Sequence, residues 1–180
     1  NVGDVLQPLQ TMANETLHED ELVQGVSATA TSVEAPPALP EPIANQASGN
    51  PVAELDWIPL QEVVSTCKAC GLCHGRTQTV FGTGDPKARW LFVGEGPGRN
   101  EDMQGLPFVG PAGKLLDNMM GAMGLKRGDN TYIANIVKCR PTDGNKRDRP
   151  PTLEEAAACM PYLERQIALI NPTVIVALGK

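Results

Sequence analysis

An apolar run, Trp90-Leu91-Phe92-Val93, passes directly into a glycine-rich loop, Gly94-Glu95-Gly96-Pro97-Gly98. No other stretch constrains the chain as strongly. Open α/β sheets place their ligands in the crevice at the carboxyl ends of buried strands. Glycines there let the backbone approach a ligand closely, and Pro97 fixes one turn of the loop. Glu95, Glu101 and Asp102 bring carboxylates to the mouth of this loop, and Phe108 brings a flat ring. The combination suits a planar group carried on a sugar-phosphate. Two common glycine loops do not match. A dinucleotide fingerprint needs glycine where Arg99 stands, and a Walker loop needs a Gly-Lys-Ser/Thr that is absent. The plainer alternative is a strand-to-helix turn edged with solvated acids.

The sequence around this junction spells a sheet with crossovers. Ile58, Leu60, Val63 and Val64 have helical spacing and lead into Cys67. Thr79-Val80-Phe81-Gly82 reads as a short extended piece, and Asp85-Pro86 as a turn before the strand at 90–93. Gly113 to Met123 reads as an amphipathic helix ended by Gly124, with Leu115, Leu116, Met119, Met120 and Met123 expected to pack in the core. Tyr132–Val137 is a second strand. Thr152 and Glu155 form a capping box for a helix that runs to about Ile170, turns Ala156, Cys159, Leu163, Ile167 and Ile170 to one face, and is kinked at Pro161. Val174–Leu178 is a third strand. Strand, helix, strand, helix, strand predicts an α/β fold whose central parallel sheet has right-handed crossovers.

Charge divides the chain at about the same place as its turn residues do. Residues 1–60 hold nine acids and no Lys or Arg; residues 61–180 hold all fifteen basic residues against twelve acids. The net charge of −6 therefore belongs to the N-terminal part, and the rest carries a small positive excess that can face a polyanion. Residues 1–52, rich in Ala and Pro, cannot bury enough apolar surface to offset chain entropy and are expected to form a disordered acidic leader, with a short helix around 5–24 as a candidate docking peptide. Order is expected from 53 to 180. The chain begins with Asn and stops just after an apolar run, which suggests part of a longer protein. No apolar stretch is long enough to span a bilayer and none reads as a signal peptide.

Cysteines stand at 67, 70, 73, 139 and 159. An odd number without a secretory signal argues against a disulfide framework and for metal or cluster ligation in a reducing cytoplasm. Cys67-Lys-Ala-Cys70 presents two thiolates on one tight turn. Cys139 follows the second strand and Cys159 lies on the inward face of the capped helix, so the four can meet at one end of the sheet. Zinc and an iron–sulfur cluster both accept four cysteines, and Cys73 could replace one of the four. The wide separation of Cys139 from Cys159 makes a zinc ribbon a poor match.

Taken in order, Cys67-x-x-Cys70, Arg76-Thr77, Val80-Phe81-Gly82, Gly94–Gly98 with Glu101-Asp102, Pro107-Phe108-Val109-Gly110 with Gly113, and Asn135 through Pro141 resemble the family 4 uracil-DNA glycosylases, the iron–sulfur type. The resemblance covers roughly residues 55–180. It implies a three-layer α/β/α uracil-DNA glycosylase-like fold, of which 53–180 would be the N-terminal part. It implies a [4Fe–4S] cluster on Cys67, Cys70, Cys139 and Cys159 that orders a DNA-facing loop. In that loop Lys138, Arg140, Lys146, Arg147 and Arg149 become candidate phosphate contacts. It implies hydrolysis of the N-glycosidic bond of deoxyuridine after the base leaves the stack. Phe108 would stack on uracil. Asn135 would read its O4/N3–H edge, and Gly94, Gly96, Pro97 and Gly98 would shape the pocket. Glu101 and Glu95 are the candidate catalytic carboxylates, with Glu101 expected to orient water or sugar and Glu95 to shape the loop and hold uracil.

One departure from the family pattern matters. The second active-site motif, His-Pro-Ser, has no counterpart in these residues; His18 lies in the leader and His74 beside the cysteine turn. The chain alone is therefore expected to be inactive or crippled. The expected setting is a monomer in a prokaryotic cytoplasm, associated with the nucleoid, with uracil-containing DNA as substrate and with the leader docking a replication or repair protein. The competing readings are a non-catalytic iron–sulfur DNA-binding or recruitment module, like domains fused to phage-type DNA polymerases, and a redox or zinc protein.

Overall fold

The computed structural model describes residues 51–179. The expectations for residues 1–50, including the helix at 5–24 and any docking role, lie outside these residues. Val52, assigned to the leader from sequence, is buried in one core cluster with Leu60 and Val64, so the domain starts slightly earlier than the composition suggested.

Helix α1 (Trp57–Thr66) runs into the cysteine turn and a short 3₁₀ turn at Gly71–His74. Strands β1 (Thr83–Gly84) and β2 (Trp90–Gly94) follow, then helices α2 (Arg99–Gln104) and α3 (Pro111–Ala122). Strand β3 (Thr131–Asn135), helix α4 (Leu153–Ile170) and strand β4 (Val174–Ala177) complete the described part. The sheet has the order β1-β3-β2-β4. β2 lies between β3 and β4 and is parallel to both, with Gly94 beside Asn135 at the carboxyl end.

The expected central parallel sheet is present as β3-β2-β4, with one strand added at its edge. β1 pairs antiparallel with β3, Thr83 against Ile133 and Gly84 against Tyr132, so the sheet is mixed. The extended piece read at 79–82 is not itself a strand. A two-residue edge strand carries no periodicity from which to read it. Parallel sheets need cover on both faces, and β2 alternates accordingly. Leu91 and Val93 pack with Ala134, Leu163 and Ile170 on the α4 side, while Phe92 packs with Ile133, Leu116 and Met120 on the α3 side. The result is the three-layer α/β/α arrangement. Trp57 locks α1 onto it, with its ring edge-on to Phe81 and Tyr132 at 5.4 and 5.3 Å.

Local chemistry sets the helix starts. Pro111 opens α3 after Gly110, where a missing N–H costs nothing. At α4 the Thr152 side chain accepts from the Glu155 N–H while the Glu155 carboxylate accepts from the Thr152 N–H, and the helix continues through Pro161. α3 departs from its expected packing. Leu116 and Met120 are buried, but Leu115, Met119 and Met123 are exposed, so only one stripe of its apolar residues reaches the core. Among the described residues no helix is long and apolar enough to cross a membrane.

Candidate active site

A cleft of about 250 Å³ opens at the carboxyl ends of β2 and β3. Gly96, Gly98, Arg99, Asn100 and Glu101 line one wall, Phe108, Gly110, Pro111 and Ala112 another, and Asn135 and Asp148 complete it. Asn135 is 2 % exposed, and its Oδ1 is buried with no hydrogen-bond partner among the described residues. Buried amide oxygens almost always have partners, so this one asks for an explanation. A Cβ on Gly94 would fall 2.5 Å from both Asn135 Oδ1 and the Phe108 ring, so glycine is required where ring and amide converge.

Phe108 adopts φ 54°, a left-handed conformation that is rare for an aromatic residue. Its surroundings hold it there. Arg127 Nη2 donates to the Phe108 carbonyl at 2.9 Å and Nη1 to the Pro107 carbonyl at 3.1 Å. Asp117 in turn fixes Arg127 at 2.7 Å. Gly113 passes so close that a Cβ would stand 1.8 Å from the Phe108 carbonyl oxygen. Arg127 and Asp117 carry no local sequence signal; only the fold brings them to residue 108.

The carboxylates divide by role. Glu101 Oε1 accepts from the amides of Val109 and Gly110 at 2.9 and 2.8 Å, clamping the Phe108 loop, while Oε2 faces Gly98 in the cleft. Asp102 is turned away from the mouth, buried, and accepts from Thr77 N at 2.8 Å. Glu95 is off the cleft wall, with its carboxylate beside Gly179. Pro97 and Gly94 are buried and are not among the residues that line the cleft. Asp148 is a cleft residue the sequence did not single out; it reaches the wall from the 141–151 loop.

The basic loop also needs a correction. Lys138 is 1 % exposed and cannot be a phosphate contact. Its Nζ donates to the Asn135 carbonyl at 2.8 Å and to Gln166 Oε1 at 2.6 Å. Burial lowers its pKa to about 8, against the opposing electrostatic effect of Cys159. Arg140, Arg147 and Arg149 are ion-paired with Asp148, Asp143 and Glu155. Lys146 is exposed, and no acid among the described residues pairs with it.

Behind the cleft, Cys67, Cys70, Cys139 and Cys159 ring a second cavity, together with Cys73. Hydrogen-bond donors already aim at the sulfurs. Arg76 Nη1 lies 3.1 Å from Cys139 Sγ, the Tyr162 hydroxyl 3.2 Å from Cys67 Sγ, and the Lys138 amide 3.3 Å from Cys159 Sγ. Burial pushes the Cys159 thiol up to about 11 and also raises Cys139, where Arg76 opposes it. Among the described residues no three His, Cys, Asp or Glu side chains converge as ligands of a single metal ion. Four cysteines from three chain segments are a donor set that both zinc and an iron–sulfur cluster accept.

The Uracil DNA glycosylase superfamily model matches residues 81–180. The chain is 52% identical over 122 residues to the Type-4 uracil-DNA glycosylase of Sulfurisphaera tokodaii, covering 67% of this chain and 53% of that one. To the Type-4 uracil-DNA glycosylase of Archaeoglobus fulgidus it is 50% identical over 121 residues, covering 67% and 58%. For that of Thermotoga maritima the figures are 51% over 120 residues, 67% and 60%. The chain thus spans little more than half the length of these relatives. With its glycine loop, its strand-end asparagine and the match over residues 81–180, the chain belongs to the uracil DNA glycosylase superfamily.

Proposed function

We propose that the protein carrying this chain excises uracil from DNA by hydrolysing the N-glycosidic bond of deoxyuridine. One observation carries the reading: the unpartnered, buried Oδ1 of Asn135 in the cleft beside the Phe108 ring. A primary amide offers an acceptor and a donor side by side, which complements the N3–H and O4 of uracil. Cytosine presents the reverse pattern at that edge and would leave the buried amide unpaired, which is how a polar site rejects an analogue. Phe108 supplies the stacking face for a base flipped out of the duplex. Glu101 keeps Oε2 available on the Gly98 side to orient water or stabilise positive charge developing on the sugar, while Oε1 serves the loop.

The cysteine cavity suits a [4Fe–4S] cluster on Cys67, Cys70, Cys139 and Cys159, whose role would be to tie three chain segments together behind the cleft. Raised thiol pKa values mean that loading releases protons. The chain's own donors, Arg76, Tyr162 and the Lys138 amide, would then hold the ligating sulfurs in orientation. Arg140, Lys146, Arg147 and Arg149 remain the candidate phosphate contacts. The setting that follows is a cytoplasm containing DNA.

The test is excision from a uracil-containing oligonucleotide by the complete protein, with Asn135→Ala alongside and iron and acid-labile sulfide measured on the same preparation. Excision should fall by about a hundred- to a thousandfold in the variant, the usual loss when a buried hydrogen-bonding group of a reaction site is removed. Binding of DNA without excision by the parent would make the domain a recruitment module instead, and zinc in place of iron would remove the cluster.

A further inference from the structure

Lys138 is the buried ionisable group that the reading above does not use. A lysine ammonium rarely stays inside a protein unless something there needs it. The backbone shows what does. β1 reaches only Tyr132 and Ile133 of β3, so the Asn135 carbonyl lies past the end of its neighbour on that side. A buried carbonyl without a partner is costly, and the Lys138 ammonium fills the gap at 2.8 Å. Gln166 on α4 holds the ammonium at 2.6 Å and is itself fixed by donating to the Phe81 carbonyl at 2.9 Å. Lys138, Gln166 and Asn135 are all nearly inaccessible to solvent. The other side of the same strand end is pinned by main chain: Ile136 N donates to the Gly94 carbonyl at 2.8 Å and Val137 N to the Glu95 carbonyl at 3.1 Å. Only two residues separate Lys138 from Asn135, and its own amide points at Cys159 Sγ.

Resting on the uracil-excision reading, we propose that Lys138 is the positioning residue of the base pocket: clamped by Gln166, its ammonium fixes the Asn135 carbonyl and so sets the angle at which the Asn135 amide meets the base. Lys138 touches neither substrate nor cleft and acts through Asn135. It is also the residue through which the cysteine cavity and the base pocket share a backbone, since its N–H serves one and its side chain the other.

A double-mutant cycle tests this in the complete protein. Lys138→Met keeps the length and apolar stem but removes the donor. Single-turnover excision should fall by about a hundredfold, as a misplacement on the order of an ångström does, with kcat carrying the loss and KM little changed. Cluster absorbance should be retained. In the Asn135→Ala background the same substitution should change excision by less than about twofold. An equal further loss in that background, or full activity of Lys138→Met, overturns the inference. Should Lys138→Met fail to fold, Gln166→Met leaves the lysine present but unheld; it should lose activity in the same direction, again only while Asn135 is present, and undiminished excision overturns the inference. If the wild-type protein does not excise uracil, it is the underlying reading that has failed. The Asn135 side-chain amide resonances then decide on Lys138 alone: the Met variant must shift and broaden them, and unmoved resonances refute the positioning role.

Discussion

Two loops meet at the cleft and are built on different chemistry. In the loop from Gly94 to Gly113, charged side chains bond to backbone: Glu101 to the amides of Val109 and Gly110, Asp102 to that of Thr77, Arg127 to the carbonyls of Pro107 and Phe108. In the loop from Arg140 to Pro150, charged side chains also pair with one another, Arg140 with Asp148, Arg147 with Asp143 and Arg149 with Glu155, besides bonding to backbone at Lys146, Arg147 and Thr142. Backbone bonds fix a shape that salt and ligand leave alone. Arg147 is the well-exposed arginine of the three, and a pair of that kind contributes little and is screened by salt, so it can trade a carboxylate for a phosphate at small cost. One loop is a mould and the other an exchangeable set of charges.

The sharpest way to break that contrast is Glu101. Glu101→Ala strips two loop amides of their acceptor and should cost about 3 kcal/mol, the desolvation penalty of orphaned donors, and release Phe108 from its left-handed conformation. Glu101→Gln keeps a carbonyl oxygen in the same place and should restore most of that stability in denaturant titrations. Excision should separate the two roles of the residue, recovering with Gln if the clamp is all that matters and staying low if the charge at Oε2 works on the reaction. Equal stability of the Ala and Gln variants would mean the first loop is not a backbone mould.

The same contrast explains what could be read from the sequence. The three parallel strands were legible because apolar runs of strand length are a local property, and the capping box of α4 because its two partners sit three residues apart. Asn135 was legible as an amide at a strand end. The purposes of the charged residues were not. Asp102 finds its amide 25 residues earlier in the chain, and Arg127 finds the Phe108 carbonyl 19 residues back. Lys138 looked like one more cation of a basic loop, and its burial depends on Gln166, 28 residues on. Helix α2, with six residues, is too short to display a period. From sequence the loop glycines suggest close approach of backbone to a ligand, whereas at 94 and 113 the decisive fact is a protein neighbour that leaves no room for Cβ.

Arg140 sharpens the second half of the comparison. Its Nε donates at 2.5 Å to Asp148, which lines the cleft and is half exposed. Arg140→Ala should cost about 1 kcal/mol, because the side chain is largely buried and donates to both Asp148 and the Lys146 carbonyl. The slope of log K against log salt for DNA binding should fall by about 1, the signature of one lost phosphate contact, uniformly across sequences. An unchanged slope would mean that the Asp148 pair persists on DNA and that the loop is not exchangeable. Asp148→Asn should act in the opposite direction, tightening binding by releasing Arg140.

The smallest expected effect lies at the far end of the same loop, where the two chemistries overlap. Glu155 accepts from Arg149 at 2.6 and 2.8 Å and from the Thr152 amide at 2.8 Å. The Arg149 hydrogen bonds, with help from that amide, hold its carboxyl below the ordinary glutamate range in the folded protein, against the opposing effect of burial. Its folded pKa being the lower one, the ionised form stabilises the fold above the unfolded pKa, and that contribution disappears as pH falls through the folded value. Glu155→Gln preserves the capping geometry and removes the charge. Near neutral pH it should destabilise by about 1 kcal/mol or less, and the gap between variant and parent should close as acid titrates the parent. High salt should narrow the gap as well, because Arg149 is partly exposed. A gap that survives at low pH would mean that the charge of Glu155 is not what stabilises the fold, and Arg149 would then be held by geometry rather than by charge.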